Sequence, residues 1–568
     1  MLRRFREHDS RSVVDLRGFW DFVFLGDVEP DQVDIRKVAF DDVMAVPGCF
    51  DASPRYAGRR GLAAYRTCLP LLEAGRLRLV FDAVHHWCRI FINGKAVRDH
   101  IGGFTRFAVD LEDVPAGDLE IIVLVDNRLD YARCPLHLDY FDWYHYGGIS
   151  RGVEVHRLGK VWIDALEVAT EDYQSRRLAL TVRYGASTAS KGQPLVVRFD
   201  GDVALEKSVD LEAGGGTLET SLEFPGAALW SPEEPELHYL HVQLGEDDLR
   251  ERIGIREFRT QGQQLLLNGE PVQLAGVNRH ESHVQIGHGQ PDALLLADAQ
   301  LVRDLGCNFV RGSHYPQDVR WLDLCDEMGF LVWSEVLGWQ HTAEHLNDEH
   351  FMQAQLTNLE EMVASARNHA SVVMYGILNE SRSDDPECRA GYATLLGRLR
   401  ELDPTRPVTY TSTRPAKDLC LDLVDIVAVD VYPGWYHNTP ADIPKVLDEV
   451  AETVDSRGFS DKPLMIAELG AGAIWGWRDW HARHWSEQYQ VEILETAVKH
   501  LLLDRPRWCG LGIWQLCDIR SSEALVMALR RPRSYNNKGL VDEYRRPKMA
   551  YDVVKKLYRQ AREKRQTK

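Results

Sequence analysis

The sequence offers no CxxC pair, no run approaching the ~18 consecutive apolar residues of a membrane-spanning helix, and no excess of positive charge. Each absence excludes something. The ten cysteines (Cys49, Cys68, Cys88, Cys134, Cys307, Cys325, Cys388, Cys420, Cys509, Cys517) are scattered, so a zinc ribbon or a disulfide-stapled scaffold is ruled out and free core thiols are predicted. Lys and Arg number 67 against 86 Asp and Glu, a formal charge of −19. That balance argues against a nucleic-acid or anionic-membrane partner, and any anionic ligand needs a local cationic pocket. The first residues, MLRRFREHDSRSVVDLRG, are basic but lack the apolar core of a secretory signal, so a cytoplasmic location is expected. The N-x-S pattern at Asn379-Glu380-Ser381 is then a chance match to a glycosylation acceptor.

What is present is the composition of a large globular chain: 568 residues, 44% hydrophobic and 27% charged. Such a length predicts several domains, since single cores rarely grow past ~250 to 300 residues. Residues 1–160 carry short alternating runs such as Arg76–Val84 (RLRLVFDAV), Cys88–Gly94 (CRIFING) and Leu119–Asn127 (LEIIVLVDN), the pattern of an antiparallel β-sandwich. Asn93-Gly94 is a tight-hairpin signal. Residues 161–258 repeat the pattern at the size of one immunoglobulin-like sandwich, with runs such as Leu178–Gly185 and Gln193–Gly201.

From residue 259 to 568 strands alternate with helices, the mark of a parallel α/β region. Eight strands are predicted: Gln273–Asn278, Asn308–Ser313, Phe330–Glu335, Val372–Glu380, Val408–Thr413, Ile426–Tyr432, Leu464–Gly470 and Gly510–Gln515. Amphipathic segments such as Asp292–Gly306 and Asp348–Arg367 fill the intervals. Eight strands over roughly 250 residues fit a TIM barrel. The stretch Arg367–Ser381 (RNHASVVMYGILNES) shows the expected local design, a continuous apolar strand that ends abruptly in Asn379 and Glu380.

Polar residues collect where the strands end: Asn278 to Glu281, Arg311 and His314, Glu335, Asn379 and Glu380, Tyr432 and Tyr436, Glu468, Trp514. The carboxyl rim of a barrel is where such folds keep their chemistry. Glutamates ending strands four and seven suit hydrolysis of a glycosidic bond by double displacement, one attacking the anomeric carbon while the other protonates the departing oxygen and then activates water.

Here the chain resembles glycoside hydrolase family 2, which contains β-glucuronidases, β-galactosidases and β-mannosidases. The likeness runs through Val84–Leu111 (VHHWCRIFINGKAVRDHIGGFTRFAVDL), Leu229–Leu240 (LWSPEEPELHYL) and Leu265–His283 (LLLNGEPVQLAGVNRHESH). It implies a jelly-roll-like, sugar-binding-like β-sandwich, an immunoglobulin-like sandwich and a catalytic (β/α)8 barrel, with no cofactor and no metal. It also implies Glu380 as acid/base, Glu468 as nucleophile, and Asn379 as partner of the sugar 2-hydroxyl. Tyr436 would orient the nucleophile, and Tyr432 belongs to the same substrate-binding group. His280 and His314 would line the sugar pocket, Trp514 would form its floor, and Asp142 in FDWYHYGGISR would reach in from the first domain.

Asn536 and Lys538, in YNNKGLVDEYRRPK (Tyr535–Lys548), resemble the Asn-x-Lys motif with which family β-glucuronidases grip a sugar carboxylate. Where those enzymes often have an arginine four positions before the asparagine, this chain has Pro532 between Arg531 and Arg533, and either is a candidate replacement. The resemblance thus implies a retaining exo-β-glycosidase for a terminal β-linked uronic acid, first of all glucuronic acid. The alternatives are a β-galacturonide, a neutral β-glycoside of the same family, and a non-catalytic carbohydrate-binding protein; a homo-oligomer is compatible with all of them. Only the segment Val336–Asn347 separates strand three from the next predicted helix, which implies an entrance uncovered by a long loop.

Overall fold

Alternation of inward apolar and outward polar side chains has the consequence expected of it in the N-terminal region of the computed structural model, which describes residues 2–135, 141–522 and 530–566. A six-stranded antiparallel sheet runs in the order Asp42–Val46, Gly18–Gly26, Leu62–Leu71, Gly117–Asp126, Trp87–Ile92, Lys95–Ile101. It packs on a four-stranded sheet in the order Val13–Asp15, Val153–Leu158, Gly75–Phe81, Phe107–Val114. Leu77, Leu79 and Phe81 share one core with Phe22, Tyr65, Ile121 and Val123. Asn93 and Gly94, both at positive φ (48° and 76°), make the hairpin turn that their residue types predict.

A second sandwich follows. Its three-stranded sheet (Val161–Asp172, Arg177–Ala186, Gly216–Glu223) lies on a four-stranded one (Asp202–Leu211, Ser190–Phe199, His238–Leu244, Asp247–Ile253), the strand number of a constant-type immunoglobulin domain.

The remainder closes into a parallel eight-stranded barrel. Its strands are β1 (Leu274–Arg279), β2 (Phe309–Gly312), β3 (Leu331–Glu335), β4 (Val372–Ile377), β5 (Val408–Ser412), β6 (Val427–Asp430), β7 (Leu464–Leu469) and β8 (Trp508–Ile513). These strands are buried on both faces, which is why they read as continuous apolar runs. Helices at Asp292–Leu305 and Glu349–Ala366 occupy the predicted amphipathic segments. Beneath the barrel a small sheet (Phe258–Gln261, Gln264–Leu267, Glu270–Val272) contributes Phe258, Leu265 and Leu267 to a plug with Leu274, Phe309, Leu331, Trp333 and Met465. With that end filled by hydrocarbon, only the carboxyl end of the strands is left for polar chemistry.

The first sandwich is pinned to that open end. Arg151 donates to Glu281 Oε2 (2.7 Å) and to the carbonyl of Pro316 (2.8 Å), and Phe104 stacks on Tyr315 at 3.8 Å. Phe141 and Trp143 enter the barrel's own core cluster. The residue between them, Asp142, is thereby delivered to the rim. Among the described residues no helix is long and apolar enough to cross a membrane, and of the ten cysteines only Cys68 is exposed.

Candidate active site

The strand-end residues converge on one cavity of about 800 Å³, whose lining includes Asp142, His314, Glu380, Tyr432, Glu468, Trp514, Arg531 and Lys538. Glu468, the penultimate residue of β7, is almost fully buried. Its Oε1 accepts from Arg311 Nη1 at 2.8 Å and its Oε2 from the Tyr432 hydroxyl at 2.7 Å. Gly470 follows it closely, and a Cβ there would meet the carbonyl oxygen of Trp514 at 2.1 Å; glycine is what lets Trp514 approach as the wall beside Glu468.

Arg311, fully buried at the end of β2, is the hub of the site. Beyond Glu468 it donates to Glu335 (3.0 and 2.9 Å), to Asn278 Oδ1 (3.0 Å) and to Asn379 Oδ1 (2.7 Å). One guanidinium fixes three strand ends and gives Glu468 a counter-ion. Asn379 thus has its oxygen occupied while its Nδ2, also buried, has no partner among the described residues. Asn379 is not itself among the residues lining the cavity.

Leu378 and Glu380 both adopt positive φ (45° and 51°), an uncommon state for residues other than glycine that is typical of functional turns. The reversal turns Glu380 toward the cavity, where its Oε2 accepts from Trp339 Nε1 (3.1 Å) and Gln340 Nε2 (3.2 Å). Burial, and after it the charge of Glu468, pushes the Glu380 carboxyl up to about 7. Glu468 is also raised by burial, but Arg311 and the Tyr432 hydroxyl oppose the rise. The two carboxyls are therefore differentiated, one favoured as an acid and the other as an anion. Their oxygens lie within 4.8 Å, near the ~5 to 5.5 Å of retaining glycosidases and short of the ~6.5 to 9.5 Å of inverting ones.

The opposite chemistry gathers where the first sandwich meets the barrel. Asp142 accepts from Arg531 Nε (2.7 Å) and Nη2 (2.5 Å) and from Asn536 Nδ2 (2.8 Å). Lys538 is buried, and its Nζ donates to the Tyr436 hydroxyl at 2.9 Å, to which Arg531 also donates at 3.3 Å. No ion pair of Lys538 is present among the described residues. Burial raises the Tyr436 phenol, but Lys538 and Arg531 outweigh it and hold the group below its usual value. The wall thus carries two fixed cations and one carboxylate.

Several expectations need correction. Tyr432, not Tyr436, contacts the nucleophile candidate; the tyrosine two residues after β6 reaches Glu468, and the one four residues on turns to Lys538. His280 does not line the cavity, because it lies buried behind Trp514 (ring centroids 5.3 Å apart) with Nδ1 on the Tyr315 hydroxyl. His314 does line it, stacked on Trp514 at 5.1 Å with Nδ1 on Glu335. Arg533 points away, paired with Glu543 at 2.9 Å, so of the two candidates Arg531 is the one that meets the site; the exposed Arg530 beside it also lines the cavity. Asn536 directs its amide at Asp142 instead of the cavity.

Trp339, Gln340, Asp430, Thr413, Trp435, His484 and Trp485 line the cavity without having been singled out. Asp430 ends the observed strand β6, whereas the predicted strand runs two residues further to Tyr432, so the strand-end rule passes over it. Trp339 and Gln340 sit in a loop where no periodicity marks them.

Donor atoms of Glu380, Asp430 and Glu468 are close enough together to ligate an ion, as are those of His86, Cys134 and His145. In the first group a cation would compete with Arg311 for Glu468; in the second the Arg60 guanidinium repels positive charge from both histidines.

Tyr432→Phe removes one hydrogen bond to a buried carboxylate, an interaction worth roughly 1.5 to 3 kcal/mol. Turnover should drop ~10- to 200-fold with KM nearly unchanged. Steady-state kinetics on the two tyrosines decides the assignment: an equal loss of kcat in Tyr436→Phe contradicts it.

The family model described as "Glycosyl hydrolases family 2, TIM barrel domain" matches residues 258–562, and "Glycosyl hydrolases family 2, sugar binding domain" matches residues 64–159. The chain is 29% identical over 519 residues to "Beta-glucuronidase" of Rattus norvegicus, covering 85% of this chain and 78% of the relative. It is 27% identical over 603 residues to "Beta-glucuronidase" of Streptococcus agalactiae serotype V, covering 97% and 96%. Among solved structures it is similar to a GH2 beta-galacturonidase from Eisenbergiella tayi bound to galacturonate (TM-score 0.91, 34% identity, 99% of both chains). It is also similar to a beta-glucuronidase from an uncultured Clostridium species (TM-score 0.85, 26% identity, 97% and 98%).

Proposed function

Because the chain belongs to glycosyl hydrolase family 2, we propose that it is a retaining exo-β-glycosidase that removes a terminal β-linked uronic acid, with β-D-glucuronides as first substrate. Glu468 attacks the anomeric carbon as Glu380 passes its proton to the departing oxygen, giving a glycosyl-enzyme ester. Glu380, now a carboxylate, takes a proton from water, which hydrolyses the ester with net retention. By the family resemblance Asn379 partners the sugar 2-hydroxyl, and Trp514 with His314 forms the floor. The observation that carries the uronate reading is Lys538, a buried ammonium that faces the cavity and shares the Tyr436 hydroxyl with Arg531, the one carboxylate of that wall, Asp142, being paired to Arg531. A second anion balances that wall, whereas a neutral sugar leaves one buried cation uncompensated.

A second reading, a β-galacturonide, is favoured by a specific observation. The galacturonidase structure is 34% identical over 99% of this chain, above the 29%, 27% and 26% of the three glucuronidases compared. The scattered cysteines fit a reducing compartment, which supports a cytoplasmic enzyme. A panel of p-nitrophenyl β-glycosides with both uronates, glucose, galactose and mannose tests the reading; a preference for a neutral sugar overturns it.

The cavity is larger than one sugar ring needs and falls in the upper part of the ~300 to 1,000 Å³ range of small-molecule sites. Its remainder is walled by Trp435 and His484, stacked at 4.7 Å, and by Trp485, His437 and Asn438. A uronate-capped disaccharide should therefore be cleaved with kcat/KM within ~10-fold of an aryl uronide, a gap of ~1.4 kcal/mol. A far larger deficit in competition assays would mean that the leaving-group side is closed to a second sugar.

A further inference from the structure

Asp430 closes β6, is 4% exposed, and lines the catalytic cavity. Neither of its carboxyl oxygens has a hydrogen-bond partner among the described residues. Its neighbours are held: Glu468 by Arg311 and Tyr432, Glu335 by Arg311 and His314, Asp142 by Arg531 and Asn536. Yet a carboxyl oxygen of Asp430 lies within 4.8 Å of one on Glu380 and one on Glu468. Three carboxyls at that spacing cannot all ionise, and protons go where anions are least supported. Glu468 has a guanidinium and a phenol. Asp430 has neither.

We infer that Asp430 is a specificity-determining residue that meets the substrate as a neutral acid, donating its O–H to one sugar hydroxyl beside the anomeric carbon while its carbonyl oxygen accepts from another. Buried groups that lack partners in the free enzyme and face the substrate site are completed by the substrate, and a sugar without the matching hydroxyl leaves them unpaired. Burial, then the charges of Glu468 and Glu380, raises the Asp430 carboxyl well above the usual carboxylate range; Glu335 adds to the rise and Arg311 opposes it. As a neutral group it also spares Glu380 a further negative neighbour beyond Glu468 and, more weakly, Asp142.

The inference rests on Glu380 and Glu468 being the catalytic pair. The test uses full-length protein and whichever glycoside the panel shows to be hydrolysed best, so it runs even if the uronate preference fails. Asp430→Asn keeps a neutral donor and acceptor. It should lower kcat/KM less than ~10-fold and leave the alkaline limb of the pH profile in place, whereas Asp430→Ala should lose ~10- to 100-fold, chiefly through the missing hydrogen bonds. An alkaline limb displaced by about one pH unit or more in Asp430→Asn means that Asp430 is charged in the native enzyme, and overturns the inference. So does Asp430→Ala at wild-type efficiency, or Asp430→Asn losing as much as alanine. If Asp430→Ala fails to fold, the pH profile of Asp430→Asn still decides. Retained activity in Glu468→Gln is the separate sign that the catalytic pair itself is misassigned.

Discussion

Glu468→Gln lowers turnover of a β-uronide by several orders of magnitude while leaving the fold intact, because an amide cannot form the glycosyl ester on which double displacement depends. The folded state should tolerate the change, since the amide oxygen still accepts from Arg311 or Tyr432. Glu380→Gln falls comparably on substrates with poor leaving groups, which need the acid most. In the wild type, Glu380 must enter the reaction protonated, and burial with the neighbouring Glu468 charge brings it to about 7. The sign follows: kcat/KM should be retained below that value and decline as pH rises through it. An NMR time course should show the β-anomer first. The α-anomer as first product, or a Glu468→Gln enzyme with near-native turnover, contradicts the assignment.

Lys538→Ala should depress kcat/KM on the preferred uronide ~10- to 200-fold, the equivalent of one charge-assisted hydrogen bond of roughly 1.5 to 3 kcal/mol. On the matching neutral glycoside it should change little. The ratio between the two substrates carries the argument, since a distorted loop harms both and a lost carboxylate contact harms only the acid. Arg531 remains in the variant, but its guanidinium is committed to Asp142 at 2.7 and 2.5 Å. That commitment is why Lys538, whose Nζ contacts the Tyr436 hydroxyl and no carboxylate among the described residues, is the cation available to a substrate carboxylate. Equal losses on both substrates point to the neutral-glycosidase alternative.

The sequence by itself determined the two sandwiches, the eight strands of the barrel and the placement of Glu380 and Glu468 at strand ends. These are local properties: strand period, burial on both faces, and the switch from apolar to polar at a strand's carboxyl end are written in consecutive residues. The tertiary structure alone decided which side chains meet. Tyr432 and Tyr436 sit four residues apart in one loop, yet one reaches Glu468 and the other Lys538, because the chain turns between them. Arg531 and Arg533 are separated by one proline, and the backbone of Arg533 adopts positive φ (61°), which sends it to Glu543. Asn536 meets Asp142 across 394 positions of sequence, and Trp339 and Gln340 reach Glu380 from a loop without periodicity. Asp430 became visible as a problem in electrostatics only when three strand ends were seen to share one space. Contacts of this kind depend on loop direction and on the closing of the barrel, which bring together residues whose local sequence carries no record of one another.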